Sequence, residues 1–357
     1  MRASGRLIGL FSFDVGYEID LEHARRCTTQ GESGELERRR AAPTYLRYAT
    51  PPLRLPLGRL NVRLGDATVE ATASAIVHEF GAMTMMLEMP LECDIETLPA
   101  LTARLTGAGP LEDAARALCE QLFERLAPAV TSPSLNSLVE DYYVIQLEDL
   151  EPPATVAGLL AAARGTLASA LRCEPVPLSD AEVDEVFRTA VSYYPDDLIV
   201  TDWNVALIVD RSFFDAVQVL EYLNVQLLEL RYFDALLDKR VAATYALTAA
   251  PRRRFALAAR PHRRAIDELA AIRLEVATIF ERIHNALKLS GDLYLAKVYA
   301  RTADRLALRA WEDSVDRKLD VLQQMYEVLV QRVATARAEL LELTIVILIL
   351  VELVARL

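Results

Sequence analysis

"DDLIVTDWNVALIVDRSFFDAVQVLEYLNVQLLEL", Asp196 to Leu230, is the stretch in which the chain changes character. Its first half, up to Asp210, is β-branched and apolar, bounded by turn-forming residues, and reads as a strand. In its second half Phe213, Val217, Leu220, Leu223, Leu227 and Leu230 recur at spacings of three and four, and Phe233 and Leu237 continue the series. That period belongs to a helix with one buried stripe. The stretch therefore closes a mixed region and opens a helical one.

Upstream, strand and helix signals alternate. "GRLIGLFSF" and "LVEDYYVIQLEDL" are strand-length runs of apolar and aromatic residues, and "ATVEATASAIVHEFGAMTMMLEMPL" predicts two strands around Gly81. Helices are expected at "DIETLPALTARL" behind Asp94, at "PLEDAARALCEQLFERL" with its early acids, and at "SDAEVDEVF", where Ser179 and Glu182 form a capping box. The Arg- and Pro-rich span from Arg38 to Leu57 predicts an irregular loop. This order predicts an α+β domain over residues 1–210.

Downstream, residues 211–339 predict a long-helix antiparallel bundle or coiled-coil stalk. A second helix is expected through Ile266, Leu269, Ile272, Val276, Ile279, Ile283 and Leu287, and a third from Leu293, where neither Gly nor Pro interrupts the chain as far as Leu357. In the third helix Val315, Leu319, Leu322, Tyr326, Leu329, Val333, Ala336 and Leu340 alternate spacings of four and three, the seam of a self-associating coiled coil. Residues 340–357 form an apolar C-terminal helix. Leu343, Ile345, Val346, Ile347, Leu348, Ile349, Leu350 and Val351 leave no polar face except Thr344, so protein or lipid must surround them. The charge-free run Leu343 to Val351 spans only about 13 Å at ~1.5 Å per residue, against a hydrocarbon core of roughly 30 Å. A shallow or oligomeric anchor is expected, not a lone full span.

The helical run "DRKLDVLQQMYEVLVQRVATARAELLELTIVILILVELV" and the preceding "DLYLAKVYARTADRLALRAWEDSVDRKL" resemble the YagE-like proteins, relatives of the Required for Meiotic Nuclear Division proteins, over about the last 140 residues. The resemblance implies an α+β domain followed by long helices, a membrane-proximal C-terminal segment and no established enzymatic chemistry.

Composition narrows the function classes. An apolar content of 52%, a mean hydropathy of +0.17 and 25% charged residues indicate a folded chain and exclude both a disordered and a polytopic membrane protein. A net charge of −12 opposes general nucleic-acid binding. The basic exception is the connection carrying Arg252, Arg253, Arg254, Arg260, Arg263 and Arg264, where an acidic or RNA partner could bind. Cys27, Cys93, Cys119 and Cys173 show no paired spacing, so neither a zinc site nor a disulfide framework is expected.

No phosphate loop, dinucleotide turn or nucleophile elbow is present. Asp196, Asp197 and Asp202 are candidate oxygen ligands for a hard cation, with a turn as the plainer reading of Pro195-Asp196-Asp197. Glu281 and His284 make half of a di-iron motif, without a second copy. No cofactor is expected. The sequence thus predicts a non-enzymatic, self-associating scaffold or tether on the cytoplasmic side of a membrane, peripheral or C-terminally anchored. The alternatives are a metal-dependent enzyme centred on residues 196–202 and a soluble coiled-coil oligomer.

Overall fold

A computed structural model describes residues 1–29, 46–48, 51–65, 67–105, 107, 109–248, 270–274, 276–278, 281, 287–289 and 293–355. These residues fall into two compact units, Met1–Glu229 with Arg282–Arg309, and Leu230–Glu281 with Ala310–Leu357.

The first unit is α+β. Its strands are β1 (Arg2–Asp14), β2 (Glu18–Ile19), β3 (Leu46–Tyr48), β4 (Leu53–Leu64), β5 (Ala67–Val77), β6 (Ala82–Asp94), β7 (Val130–Thr131), β8 (Val139–Glu151), β9 (Leu198–Thr201), β10 (Val205–Val209) and β11 (Leu287–Leu289). Its helices are α1 (Leu21–Thr29), α2 (Leu98–Thr102), α3 (Pro110–Leu126), α4 (Val156–Leu171), α5 (Asp180–Val186), the first half of α6 (Phe214–Thr248), and α7 (Leu293–Arg305). Seven strands form one mixed sheet in the order β4-β5-β6-β1-β8-β10-β9, antiparallel except for the parallel β8–β10 pair.

Alternation along β1 assigns the two faces of this sheet. Leu7, Phe11 and Phe13 point into a core completed by Leu111, Cys119 and Leu122 of α3 and Leu159 and Leu167 of α4. Arg6, Ile8, Leu10 and Ser12 point to the other face, where α6 lies: Arg6 sits over the Phe213 ring and Ser12 receives a hydrogen bond from Asn224. Because β1 has a helical layer on each side, it is apolar on both faces, and that made it legible.

Several expectations need correction. The span from Arg38 to Leu57 is not all loop, since β3 and the start of β4 fall within it. β4 is an edge strand, where the outward Arg54, Arg59 and Arg63 and the bulge at Pro56–Gly58 are tolerated because one side needs no ladder partner. The expected single strand over Asp196–Asp210 is the hairpin β9–β10, closed by the Asp202 amide donating to Val205 O at 2.9 Å. Nor is the helix from Leu293 continuous: α7 ends at Arg305, Ala307 is left-handed at φ +53°, and α8 (Leu308–Ala355) begins beyond it. At the end of the expected second helix, Leu287 belongs to β11.

The second unit joins the rest of α6, helical residues 270–274 and 276–278, and α8. Lys318 Nζ bridges Asp234 and Asp238 at 2.7 and 2.6 Å, and Arg273 reaches Asp320 at 3.2 Å. Val315, Leu319, Leu322 and Leu329, expected on an inter-chain seam, are buried within this one chain, as are Phe233 and Leu237 of α6. These contacts describe an intrachain helical bundle. Leu340, the last seam position, is exposed.

Candidate functional site

Three constructions in the described residues carry chemistry. The first is a buried polar chain between the sheet and α6. Glu221 and Asn224, one turn apart on α6, meet Ser12 of β1 and Thr84 of β6, which face each other in the sheet register. Thr84 Oγ1 donates to Glu221 Oε1 at 2.6 Å, which uses its only proton, so Ser12 Oγ donates to Thr84 at 2.9 Å. Asn224 Nδ2 completes the chain by donating to Ser12 Oγ and to Glu140 O. On the other side His78 Nε2 lies 2.9 Å from Glu221 Oε1. Burial alone would raise the Glu221 carboxyl, but the His78 charge and the hydrogen bonds from His78 and Thr84 outweigh it and hold it below the usual range. Sequence reasoning missed this set. The available signal was a Glu and an Asn inside an otherwise apolar run, Val219 to Val225.

The second construction is centred on Asp202, whose side chain is fully buried. Arg305 of α7 grips it with two hydrogen bonds, Nε to Oδ1 at 3.1 Å and Nη2 to Oδ2 at 2.8 Å, and Arg172 after α4 adds a third at 3.1 Å. The Trp203 amide donates a fourth at 2.7 Å. Glu182 pairs with Arg172, and Glu185 lies 3.5 Å from Arg305, so α5 supplies charges for the outer side of both arginines. Tyr142 donates its hydroxyl to Asp202 O at 2.9 Å. Burial, with Asp202 and Asp141 nearby, pushes the neighbouring Cys173 thiol up to about 12, which removes it as a nucleophile.

The third is a cavity of about 830 Å³ at the opposite end of the β9–β10 hairpin. Ile199, Ile208 and Leu295 give it apolar walls, and Tyr193, Tyr194 and Tyr294 stand around it. The turn that carries the first two is tied by Asp197, whose carboxylate accepts from the Tyr193 and Tyr194 amides at 2.7 and 3.1 Å. Tyr193 packs edge-on against Tyr194 and against Tyr294, with centroids 4.8 and 6.1 Å apart. Glu148, Asp196, Asp210 and Asp215 are the remaining acids of the lining.

The sequence candidates are thus dispersed. Asp196 and Asp197 line the cavity, whereas Asp202 is held in the arginine pair and does not. No group of three or more His, Cys, Asp or Glu among the described residues is placed to hold a metal ion. Arg252, Arg253, Arg254, Arg260, Arg263, Arg264 and His284 lie outside the described residues. The apolar C-terminal positions from Leu340 to Val354 are on α8, with relative exposures from 44% at Leu340 to 71% at Val354. Among the described residues no helix is long and apolar enough to cross a membrane.

The architecture defines an α+β protein, a mixed seven-stranded sheet between helical layers, joined through α6 to a helical unit. The family model described as "Uncharacterized protein MJ0711, N-terminal domain" matches residues 4–215, and the chain belongs to that family. A curated relative, "Uncharacterized protein MJ0711" of Methanocaldococcus jannaschii, is 25% identical over 239 residues, covering 66% of this chain and 72% of that protein. No solved structure matches the chain. This overturns the resemblance to the YagE-like and Required for Meiotic Nuclear Division proteins. That likeness rested on a heptad followed by an apolar run, a pattern that many long helices share, whereas the family match lies in the sheet-bearing part of the chain.

Proposed function

We propose that this protein is a non-enzymatic scaffold that attaches to a membrane surface through the end of α8. The observation that carries this reading is the exposure of Leu343, Ile345, Val346, Ile347, Leu348, Ile349, Leu350 and Val351, each between 47% and 64%. At about 100° per residue, nine consecutive positions cover every side of the helix. A sister helix packed along one seam would leave the opposite side wet, while lipid covers all of it. Thr344, the one polar residue in the run, donates its hydroxyl to Leu340 O at 2.8 Å, which satisfies it without water.

Magnitudes favour a reversible attachment. On insertion scales each Leu, Ile or Val contributes about 0.3 to 0.6 kcal/mol, so eight supply roughly 4 kcal/mol, while a buried acid such as Glu352 costs up to about 3 kcal/mol unless it stays at the interface. The test is flotation of the full chain with liposomes, beside Val346→Asp/Leu348→Asp. The wild-type chain floats and the double variant stays at the bottom, since each acid costs about 2.5 to 3.5 kcal/mol at depth. Equal flotation of both refutes the lipid contact. Absence of flotation by either, with a concentration-dependent oligomer that the double variant abolishes, assigns the same surface to sister chains.

A further inference from the structure

We propose that the cavity beneath Tyr193 and Tyr194 binds an organic cation, an ammonium or guanidinium group carried on a hydrocarbon stem. The inference is independent of the membrane reading, since every lining residue belongs to the first unit. The volume of about 830 Å³ lies in the range of small-ligand sites, roughly 300 to 1,000 Å³.

The walls divide by chemistry. Ile199, Ile208 and Leu295 offer an apolar surface to a stem. Tyr193 and Tyr194 are 64% and 62% exposed in spite of their size, held there by the Asp197 clasp on their amides, and an aromatic face attracts a cation within about 6 Å. Among the described lining residues the acids outnumber the one basic residue, Arg211, which is itself engaged by Asp149 at 2.7 Å, outside the lining. An anionic ligand would meet repulsion there. A hard metal ion needs six or more converging oxygens, which this lining does not assemble.

The shared chemistry has two sources, a free polyamine or a basic side chain of a peptide, and the experiment separates them. Spermidine and an acetylated, amidated tri-arginine peptide are titrated calorimetrically into the full chain at low ionic strength, with magnesium chloride as the diffuse-charge control. Saturable one-to-one binding of spermidine alone identifies a free amine, of the peptide alone a protein side chain, and of both the common group. Tyr193→Ala and Asp196→Asn, both on exposed side chains, each weaken that binding about 3- to 30-fold. Glu70→Gln, which removes a carboxylate on the β4–β5 edge, leaves it unchanged. On the wild-type protein, shifts in the ring proton resonances of Tyr193 and Tyr194 report occupancy without any variant. The proposal is overturned if neither probe saturates at millimolar concentration, or if Glu70→Gln weakens binding as much as Asp196→Asn.

Discussion

Replacing Asp202 by Asn should cost the first unit about 3 kcal/mol, the lower end of the range for removing one partner of a buried ion pair. The carboxylate is fully buried and receives three hydrogen bonds from two arginines that are themselves mostly buried, with 16% and 20% of their side chains exposed. The amide keeps an acceptor for one of them but turns N–H groups toward the other, and no charge answers the guanidinium groups from within. Glu182 and Glu185 remain on their outer side, which is why the upper end of the range is not expected. Urea unfolding followed by circular dichroism measures the effect. With a slope of about 2 to 3 kcal/mol per molar, the midpoint falls by roughly 1 to 1.5 M. The loss should persist in about 1 M salt, because pairs removed from water are screened little. Asp196→Asn, on an exposed side chain, should change stability by no more than about 0.5 kcal/mol. A loss at Asp202 no larger than that at Asp196 would refute the reasoning.

Glu221, whose folded carboxyl is held below its ordinary value of 4.5, contributes stability that is fully present above that value and is lost as pH falls through the lower folded value. Urea midpoints measured from about pH 6 down to about pH 3 should fall more steeply for the wild-type chain than for Glu221→Gln. Ser179→Ala removes the oxygen that accepts the Glu182 amide at the start of α5 and should cost about 1 kcal/mol in a denaturant titration, with Ser179→Asp restoring most of it. Gly81→Ala should prevent normal accumulation of folded protein, since φ is +94° and a Cβ would stand 1.8 Å from Gly16 O. Gly107→Ala, at φ +87° with no other described residue within 4 Å of an added Cβ, should cost only about 1 kcal/mol by thermal melting.

What could be read from sequence was whatever local pattern dictates. β1, β5, β6 and β8 emerged because their apolar residues alternate or run unbroken, and α3 and α5 because their first turns carry the acids and caps that helix ends require. Every residue named from the α6 period, Phe213 to Leu237, is buried, but so is every residue from Val219 to Leu230, so that part of the helix is covered all round and not along one stripe. What escaped depends on tertiary context. β4 is recognisable as a strand only once it has an edge position that tolerates Pro56, and α4, rich in Ala and Leu with little polar face, has a weak helical stripe of its own. The hairpin inside "LIVTDWNVALIV" is decided by Asp202, whose partners lie 30 and 103 residues away. The cavity is less legible still, since its lining comes from three separate segments around residues 147, 193–216 and 293–295. Asp196 and Asp197 sit in the turn that was the plainer reading of Pro195-Asp196-Asp197, with Asp197 as its clasp on the two tyrosine amides.

The scaffold reading stands or falls on what touches α8 beyond Leu340. The most direct measurement places a tryptophan at Leu348 and follows its emission with liposomes whose lipids carry bromine along the acyl chains. The account predicts a blue shift on adding plain liposomes and strong quenching by the brominated ones, absent when Trp203 and Trp311 are the only indoles. Emission that ignores lipid but shifts with protein concentration would contradict it and give that surface to another copy of the chain.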